Sequence, residues 1–207
     1  MVGDSERFDI YDQARNWLGT AERSEVHANG YWHQTFHCWI VQQRNEQTYL
    51  LFQRRHRGKD TYPNLLDISC AGHLEAGESI ADGVRELAEE LGLQVPLDEL
   101  RACGIYAVEN QLPNGGMDRE FSHVYLYNCD LELNDYEVQL EEISGLYWIA
   151  LKDVQAMAEG QLEHIPAYGL DIHDHGERSQ PATALFSLHD FVPHKLDYYQ
   201  LVFAQLN

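Results

Sequence analysis

Basic residues and long apolar segments are scarce in this chain, and each scarcity excludes a class of protein. Lysine and arginine number 14 against 34 aspartate and glutamate residues, so the formal net charge at pH 7 is −20. Such a charge repels a phosphate backbone, which argues against nucleic acid as the main partner. No run of about 18 apolar residues occurs, so we expect no membrane-spanning helix. The start of the chain, MVGDSERFD, lacks the basic-then-apolar pattern of a signal peptide, which predicts a cytoplasmic protein.

Cysteine is also sparse, and its spacing gives no sign of a paired-cysteine site. The four cysteines form no C-x-x-C pair and are Cys38, Cys70, Cys103 and Cys129. Three lie in strand-like runs and the other follows such a run, so we predict buried free thiols.

The stretch from Gly72 to Leu93, GHLEAGESIADGVRELAEELGL, is the most informative part of the chain. It opens with a glycine-containing turn, and glycine lets the backbone approach a ligand closely. Ser79, with Asp82 three residues on, is a variant of the capping box, which predicts that a helix begins at Ser79. Gly92 predicts the end of that helix.

Three glutamates share one side of this predicted helix. Glu86, Glu89 and Glu90 stand at i, i+3 and i+4, which brings their carboxylates together. Like charges at this spacing destabilise a helix unless a cation neutralises them. Magnesium suits the role because it takes few carboxylates, keeps several waters and shares phosphate oxygens with a substrate. The alternative is an acidic helix face that is merely solvated.

The same stretch resembles the Nudix box, GX5EX7REUXEEXGU, in which U is an aliphatic residue. Gly72 matches the first glycine, Glu78 the isolated glutamate, and Arg85–Leu93 the whole second half. Only six residues separate Glu78 from the arginine, where the family has seven, and one residue of helix is about 100° of rotation. The pairing of Glu78 with the arginine is therefore left open. We predict that residues 79–83 absorb the deletion, so that the three glutamates still face the Gly72 loop.

This resemblance implies an α/β protein of the Nudix fold, with a mixed β-sheet sandwiched between helices. It implies hydrolysis of a diphosphate bond in a nucleoside diphosphate linked to another group, with Mg²⁺ as the cofactor and Mn²⁺ as a substitute. The implied metal ligands are the Gly72 carbonyl, Glu86, Glu89 and Glu90. The implied catalytic residues are Arg85, Glu86, Glu89, Glu90, Glu120 and Glu142. Three residues are left open as the general base: Glu90, Glu120 and Glu142.

Apolar periodicity predicts the remaining elements. We predict strands at residues 7–11, 36–41, 48–53, 65–69, 102–108, 121–129 and 146–149, and helices at 152–158 and 193–206. We predict a hairpin and loop over residues 12–29, an exposed loop at 112–116 and an irregular segment at 160–192. The order fits a single domain over residues 1–207, with an N-terminal hairpin extension (about 1–30), a core (about 31–160) and a C-terminal extension (about 161–207).

Four basic residues follow the strand predicted at residues 48–53, and they are Arg54, Arg55, Arg57 and Lys59. Arginine forks match phosphate oxygens in pairs, so this cluster is a candidate phosphate clamp for the substrate. The alternative is a solvated loop that balances the acidic surface.

A second set of residues resembles the isopentenyl-diphosphate isomerase branch of the same superfamily. The resemblance rests on residues 32–40, on the Arg54-Arg55 pair and on the Ala-Gly-His sequence before the box. In those isomerases three histidines and two acids bind the divalent metal, and they fall directly on His33, His73 and Glu120. Asp118 stands where the family has glutamate, and His27 fits only with a one-residue gap. The set is either a second metal site that includes Glu120 or a group of substrate-pocket or surface histidines. We favour the second interpretation, with His33 and His73 in the substrate pocket.

Two differences favour a hydrolase over an isomerase. The isomerases carry a cysteine directly before the Gly-His pair, where this chain has Ala71. Cys70 is one residue earlier, and the alternation of a strand points it to the opposite face. The isomerases also largely lose the box glutamates that this chain keeps. An isoprenoid-diphosphate isomerase is therefore the second interpretation, and a non-catalytic sensor of a phosphorylated ligand is the third.

The segment Ile172–His175 contains two histidines around an aspartate and raises the question of a further metal site. The ligand spacings of structural zinc sites are absent, so we expect a plain loop. The expected partner is a small-molecule diphosphate, without nucleic acid or membrane, and a homodimer is left open.

Overall fold

A computed structural model describes residues 6–112 and 115–206. Within those residues the strands are β1 Arg7–Tyr11, β2 Trp17–Glu22, β3 Trp32–Arg44, β4 Gln47–Arg55, β5 Leu66–Asp67, β6 Cys70–His73, β7 Arg101–Gln111, β8 Met117–Asn128, β9 Ile143–Ala150, β10 His164–Asp171 and β11 Ala182–Ser187. The α-helices are α1 Arg23–Asn29, α2 Arg85–Leu91, α3 Leu151–Ala158 and α4 Leu196–Phe203. None of the described helices is long and apolar enough to cross a bilayer. Pro113 and Asn114, in the predicted loop 112–116, lie outside the described residues.

Strand β3 is the centre of the sheet. It pairs antiparallel with β4 and β6, parallel with β8, and through Trp32 with Tyr11 of β1. Strand β9 extends the sheet beyond β4, and the hairpin β10–β11 continues it to that edge. The sheet therefore mixes parallel and antiparallel pairs, as the sequence predicts.

Apolar side chains alternate along β3 and so serve two cores on opposite faces of the sheet. Phe36 and Ile40 pack in the core that contains Leu87 of α2. Trp39, which points the other way, packs in the core that contains Val202 of α4. Helices thus cover both faces, and the predicted α/β architecture is confirmed.

Three predictions of local structure were wrong. The hairpin predicted within residues 12–29 is present, since β2 pairs with β1, but the rest of that segment is helix α1 instead of the predicted loop. The regular helix of the box begins at Arg85 instead of Ser79, because residues Asp82–Val84 form a tighter 3₁₀ turn. Residues 160–192 contain the hairpin β10–β11, although proline and glycine in β10 have low strand propensity. Backbone pairing with β9 stabilises β10 as a strand despite the low strand propensity of its sequence.

The cysteines are free thiols, as predicted. Cys103 is half-buried, which corrects the expectation of full burial at that position, and the others are buried. Cys70 belongs to the core of α2, whereas Ala71 packs against the core of α4. The prediction that these neighbours point to opposite faces is confirmed.

Candidate active site

Arg85 connects the glycine turn to the first turn of helix α2. Its Nε donates to Glu78 Oε1 at 2.8 Å, and its Nη2 donates to Glu78 Oε2 at 3.1 Å. Nη2 also donates to the His73 carbonyl at 3.1 Å. Nη1 donates to Glu86 at 2.7 Å and to Glu89 at 3.2 Å. A guanidinium engaged with this many protein oxygens suits a positioning role more than the catalytic role implied by the resemblance.

The N-terminal strand supports the same turn. The Ala76 amide donates to the Arg7 carbonyl at 2.7 Å, and the Gly77 amide donates to Asp9 Oδ2 at 2.9 Å. Gly77 has a φ of 87°, a left-handed conformation that glycine adopts without strain. No local pattern predicts this support, because strand β1 and the turn are far apart along the chain.

The box glutamates differ in burial. Glu86 lies against Gly72, where an added Cβ would stand 2.1 Å from the Glu86 carboxyl carbon, so a side chain at position 72 would displace this carboxylate. Glu90 is buried and contacts the backbone of β6, since its Oε2 accepts a hydrogen bond from the Ala71 amide at 3.3 Å. Glu89 is 53% exposed and stands beside Arg85. Glu86 and Glu90 thus face the glycine strand as predicted, with Glu89 at the outer edge.

Both buried glutamates hold their protons more tightly than usual. Burial raises the pKa of Glu86 to about 7, although the neighbouring guanidinium opposes the shift. Burial and the charges of Glu86 and Glu142 raise the pKa of Glu90 to about 8. A hard divalent cation would relieve this repulsion, so the donor set fits magnesium or manganese.

Glu142 lies on the same side of the sheet as Glu90. It pairs with Lys59, and the charges of both residues act on the pKa of Glu90. Gln53 Nε2 also donates to Glu90 Oε2 at 3.3 Å. Glu120, the other outside candidate for general base, lies instead with the histidines described below. The two candidates from outside the box therefore lie in different surroundings, Glu142 near Glu90 and Glu120 among the histidines.

Each residue of the predicted phosphate clamp has an acidic partner. The pairs are Arg54–Asp171, Arg55–Asp67, Arg57–Asp174 and Lys59–Glu142. The Arg55 side chain is 16% exposed and turned inward, whereas that of Arg57 is 68% exposed. The four cations are therefore not equivalent, and Arg57 is the most accessible to a phosphate.

The histidine and acid set aligned with the isomerases converges in space. The ligand atoms of His27, His33 and His73 lie within 4.8 Å of one another, and so do those of His33, Asp118 and Glu120. Within residues 6–112 and 115–206, these are the two groups of three ligand-type side chains this close. The set comes from α1, β3, β6 and β8, so only the fold brings it together.

Several atoms of this histidine cluster lack a hydrogen-bond partner although they are buried. They are His27 Nε2, His33 Nε2, His73 Nε2 and Asp118 Oδ1. His33 Nδ1 lies 3.2 Å from the Tyr31 carbonyl, which assigns the proton to Nδ1 and leaves the Nε2 lone pair free. Burial lowers the pKa of His33 to about 4, so the ring is neutral. Neutral imidazoles beside carboxylates fit a transition-metal ion.

Phe8 of β1 closes this cluster from one side. Its ring stacks on His33 and His73 with centroid distances of 5.2 and 4.7 Å, and it is fully buried. On another side, Glu120 borders a cavity of about 50 Å³ that His37, His194 and Tyr198 also line. Such a volume holds a few water molecules at most.

A buried hydrogen-bond network lies behind that cavity, and the sequence analysis missed it. Trp39 Nε1 donates to the Tyr198 hydroxyl at 3.2 Å, and that hydroxyl lies 3.1 Å from His37 Nδ1. Asp67 Oδ1 lies 2.8 Å from His194 Nε2. Tyr198 and His194 come from the C-terminal segment, more than a hundred residues from their partners, so no local pattern signals the network.

The segment Ile172–His175 is part of the turn that joins β10 to β11. The Gly176 amide donates to the His173 carbonyl at 2.8 Å, and Asp174 pairs with Arg57 and His56. Among the described residues, the close groups of ligand-type side chains lie in the histidine cluster and not here. The expectation of a plain loop therefore agrees with the geometry.

Comparisons with known proteins agree with this fold and site. The family model for the NUDIX domain matches residues 32–168. The chain is 40% identical over 203 residues to an uncharacterized Nudix hydrolase of Clostridium acetobutylicum, covering 98% of each protein. It is 29% identical over 149 residues to isopentenyl-diphosphate Delta-isomerase 2 of Photorhabdus laumondii, covering 72% of this chain and 79% of the relative.

A solved structure supports the same architecture. A Deinococcus radiodurans protein matches with a TM-score of 0.57 at 22% identity, covering 75% of this chain and 90% of that protein. At this identity the likeness shows the fold alone. The family match, however, spans the central sheet, the glycine turn and helix α2, and the Clostridium relative aligns along nearly the whole chain. This protein therefore belongs to the Nudix hydrolase family, with isopentenyl-diphosphate isomerases among its relatives.

Proposed function

We propose that this protein hydrolyses a diphosphate bond in a nucleoside diphosphate linked to a second group, or in a related small diphosphate. The observation that carries the proposal is a pair of carboxylates packed against the glycine strand, the largely buried Glu86 (12% exposed) and the buried Glu90. Burying two such charges side by side costs free energy unless a cation and its phosphate ligands accompany them.

The proposed metal ligands are Glu86, Glu89, Glu90 and the Gly72 carbonyl. A divalent cation held there supplies positive charge to the diphosphate oxygens and lowers the pKa of a bound water. Arg85 holds Glu78, Glu86 and Glu89 in place through its hydrogen bonds. Magnesium is the expected ion, and manganese is a substitute with the same ligand preference.

We assign the general base to Glu142 or Glu90. Glu142 pairs with Lys59 next to Glu90, whereas Glu120 lies in the histidine cluster. Arg57, with a 68% exposed side chain, is the cation we expect to meet phosphate oxygens first. Arg54 and Lys59 are 26% and 28% exposed, and Arg55 is turned inward to Asp67. Any of these groups acts only if it comes within hydrogen-bonding distance of its proton or oxygen.

We propose a separate metal-binding role for the histidine cluster, with His27, His33, His73, Asp118 and Glu120 as ligands. The orphaned nitrogen atoms support this role in preference to substrate binding by His33 and His73, since both rings point at the acids of the cluster. The ion would hold strands β3, β6 and β8 and helix α1 together. Because the isomerases bind their metal with three histidines and two acids, this set is also compatible with the isomerase alternative.

Two observations weigh against that alternative. The position before Gly72 is Ala71, which cannot serve as a proton donor or acceptor. The cavity beside Glu120 has about 50 Å³, and His37 and Tyr198, which line it, are hydrogen-bonded to each other. Isomerisation would need a thiol or an equivalent acid beside the carbon chain of the substrate.

The deciding experiment is a panel of small diphosphates assayed with magnesium and manganese, including isopentenyl diphosphate, with released phosphate or nucleotide and isomer formation as readouts. We expect hydrolysis of at least one nucleoside diphosphate derivative, and a loss of about 10² or more in turnover for Glu89→Gln or Glu90→Gln. Cys70→Ala should retain activity within about tenfold, because the thiol is buried in the core. Isomerisation of isopentenyl diphosphate that Cys70→Ala abolishes would overturn the proposal.

We also retain the absence of a nucleic-acid partner as a proposal, supported by a net charge of −20, and the cytoplasmic location as a prediction. A single functional domain over residues 1–207 remains a prediction, and the question of a homodimer stays open.

A further inference from the structure

Gln53 is a buried amide at the end of an apolar run in β4. It follows Leu50, Leu51 and Phe52, and it is only 3% exposed. Alternation along the strand puts Gln53 on the same face as Leu51, which packs in the core that contains Leu87 of α2. Burying an amide in such a core costs free energy unless its polar atoms find partners. An amide at this position therefore needs a hydrogen-bond partner on that face.

The partner is the carboxylate of Glu90. Gln53 Nε2 donates to Glu90 Oε2 at 3.3 Å, and the Ala71 amide donates to the same oxygen at 3.3 Å. The Cys70 thiol is a weaker third donor to this carboxylate. Strands β4 and β6 thus hold one side chain of α2 from two directions. Because both amides engage Oε2, Oε1 is the oxygen that we expect to meet a metal ion or a water molecule.

The donors to Glu90 differ in charge from those of its neighbours on α2. Glu86 and Glu89 both pair with the guanidinium of Arg85, at 2.7 and 3.2 Å. Glu90 forms no ion pair within the part of the chain that the structure describes, and its amide donors are neutral. Neutral donors orient a carboxylate without cancelling its charge, so that charge stays available to a divalent cation.

We propose that Gln53 is a positioning residue, which holds the Glu90 carboxylate against β6 so that its other oxygen meets the metal ion at the acidic helix. The inference rests on the proposed hydrolase function and assigns a further residue to the same site. Gln53 lies outside the Nudix box and acts through Glu90 instead of binding the ion itself. The alternative is a structural role, in which the amide only satisfies a buried carboxylate.

Two substitutions at position 53 separate these roles. Gln53→Met has a side chain of similar length but no donor. Gln53→Asn keeps the amide but ends one carbon–carbon bond, about 1.5 Å, short of Glu90. Both variants should lose some stability in urea unfolding, whichever role is correct, because the carboxylate loses a donor. A structural role predicts that the folded variants still bind metal and turn over like wild type.

Mn²⁺ titration followed by electron paramagnetic resonance gives a readout that does not require turnover. The helix site is the one that Glu90→Gln removes. We expect both Gln53 variants to weaken Mn²⁺ binding at that site by about tenfold, as for other groups that orient a metal ligand. With saturating magnesium, kcat for the best diphosphate of the panel should fall by about tenfold, while KM changes less than about threefold.

Gln42→Met is the matched control. Gln42 is a second buried glutamine, 4% exposed, on the face of β3 that carries Ile40, and its Oε1 has no hydrogen-bond partner. It pairs with Tyr49, which lies four residues before Gln53 in β4, or about 13 Å along the strand. We expect this variant to keep wild-type Mn²⁺ binding and turnover.

Wild-type Mn²⁺ binding and kcat in either folded Gln53 variant would overturn the inference, and so would equal losses in Gln42→Met. If the wild type cleaves a diphosphate, these outcomes leave the hydrolase proposal intact. If it cleaves none, the hydrolase proposal fails, and the Mn²⁺ data alone decide the role of Gln53. Gln53→Asn, which keeps a polar side chain, keeps the test decisive if Gln53→Met does not fold.

Discussion

Glu78 and Arg85 form a two-pronged ion pair, with Nε to Oε1 at 2.8 Å and Nη2 to Oε2 at 3.1 Å, although the chain between them is one residue shorter than the family pattern. The 3₁₀ turn at Asp82–Val84 makes this pairing compatible with the deletion, because it rises more per residue than an α-helix. The shortened segment is also held by Ser79, whose amide and hydroxyl both donate to Asp82. The predicted absorption of the deletion within residues 79–83 agrees with this geometry, as the adjoining turn ends at Val84.

The first prediction follows from that pair. A double-mutant cycle with Glu78→Gln and Arg85→Gln should give an interaction free energy of about 1–2 kcal/mol in urea unfolding, because the two groups share a partly buried, bidentate contact. Glu22→Gln, an exposed acid of β2, serves as the control and should change stability by less than about 0.5 kcal/mol. If the two substitutions change the free energy of unfolding additively, the contact between Glu78 and Arg85 has no interaction energy of its own.

The second prediction concerns the histidine cluster. The protein should retain one tightly bound manganese or zinc ion per chain after removal of loosely bound magnesium, as measured by elemental analysis. His33→Ala should lose that ion, since His33 belongs to both groups of close ligand atoms. His164→Ala, at an exposed histidine of β10, is the matched control and should keep it.

Glu90→Gln should also keep the cluster ion, because Glu90 lies on the opposite side of β6. Equal metal content in wild type and His33→Ala would mean that the cluster is not a metal site. A thermal-shift titration gives the same information independently, because a ligand that binds only the native state raises its apparent stability.

The third prediction separates two arginines of the basic cluster. Arg55→Ala should lower the free energy of unfolding by about 3 kcal/mol or more, because it leaves the buried Asp67 carboxylate without its guanidinium partner. Arg57→Ala removes a largely exposed pair and should cost less than about 1 kcal/mol. It should instead raise KM for the best diphosphate two- to tenfold. A similar loss of stability in both variants would contradict this division of roles.

The fourth prediction concerns acid stability. Burial lowers the pKa of His37 to about 3, well below the unfolded value near 6.5. The unfolded chain therefore binds the extra proton first, and the stability contributed by neutral His37 is present above pH 6.5 and lost as the pH falls toward 3. Between pH 7 and pH 5 this loss amounts to about 2 kcal/mol.

The measurement is urea unfolding of wild type and His37→Gln at several pH values. We expect the variant to be less stable at pH 7, since it perturbs the contact with Tyr198, but to lose less stability on acidification. Parallel pH profiles for the two proteins would show that His37 does not titrate on unfolding.

Much of the fold and of the helix-borne site could be predicted because the signals are local. Alternating apolar residues in β3 and β4, and the spacing of Glu86, Glu89 and Glu90, depend only on strand and helix periodicity. Local signals failed where long-range pairing decided the structure. Strand β10 contains Pro166 and Gly169, and it is a strand because β9 and β11 pair with both of its edges.

The amino-acid sequence by itself determined the Nudix box, the retention of its glutamates and the alanine in place of the isomerase cysteine. Only the tertiary structure decided which distant residues share a site. It placed Glu142 beside Glu90 and Glu120 among the histidines, and it turned Arg55 inward to Asp67. The physical reason is that a side chain's partners across a sheet depend on strand order and register, which no short stretch of sequence encodes.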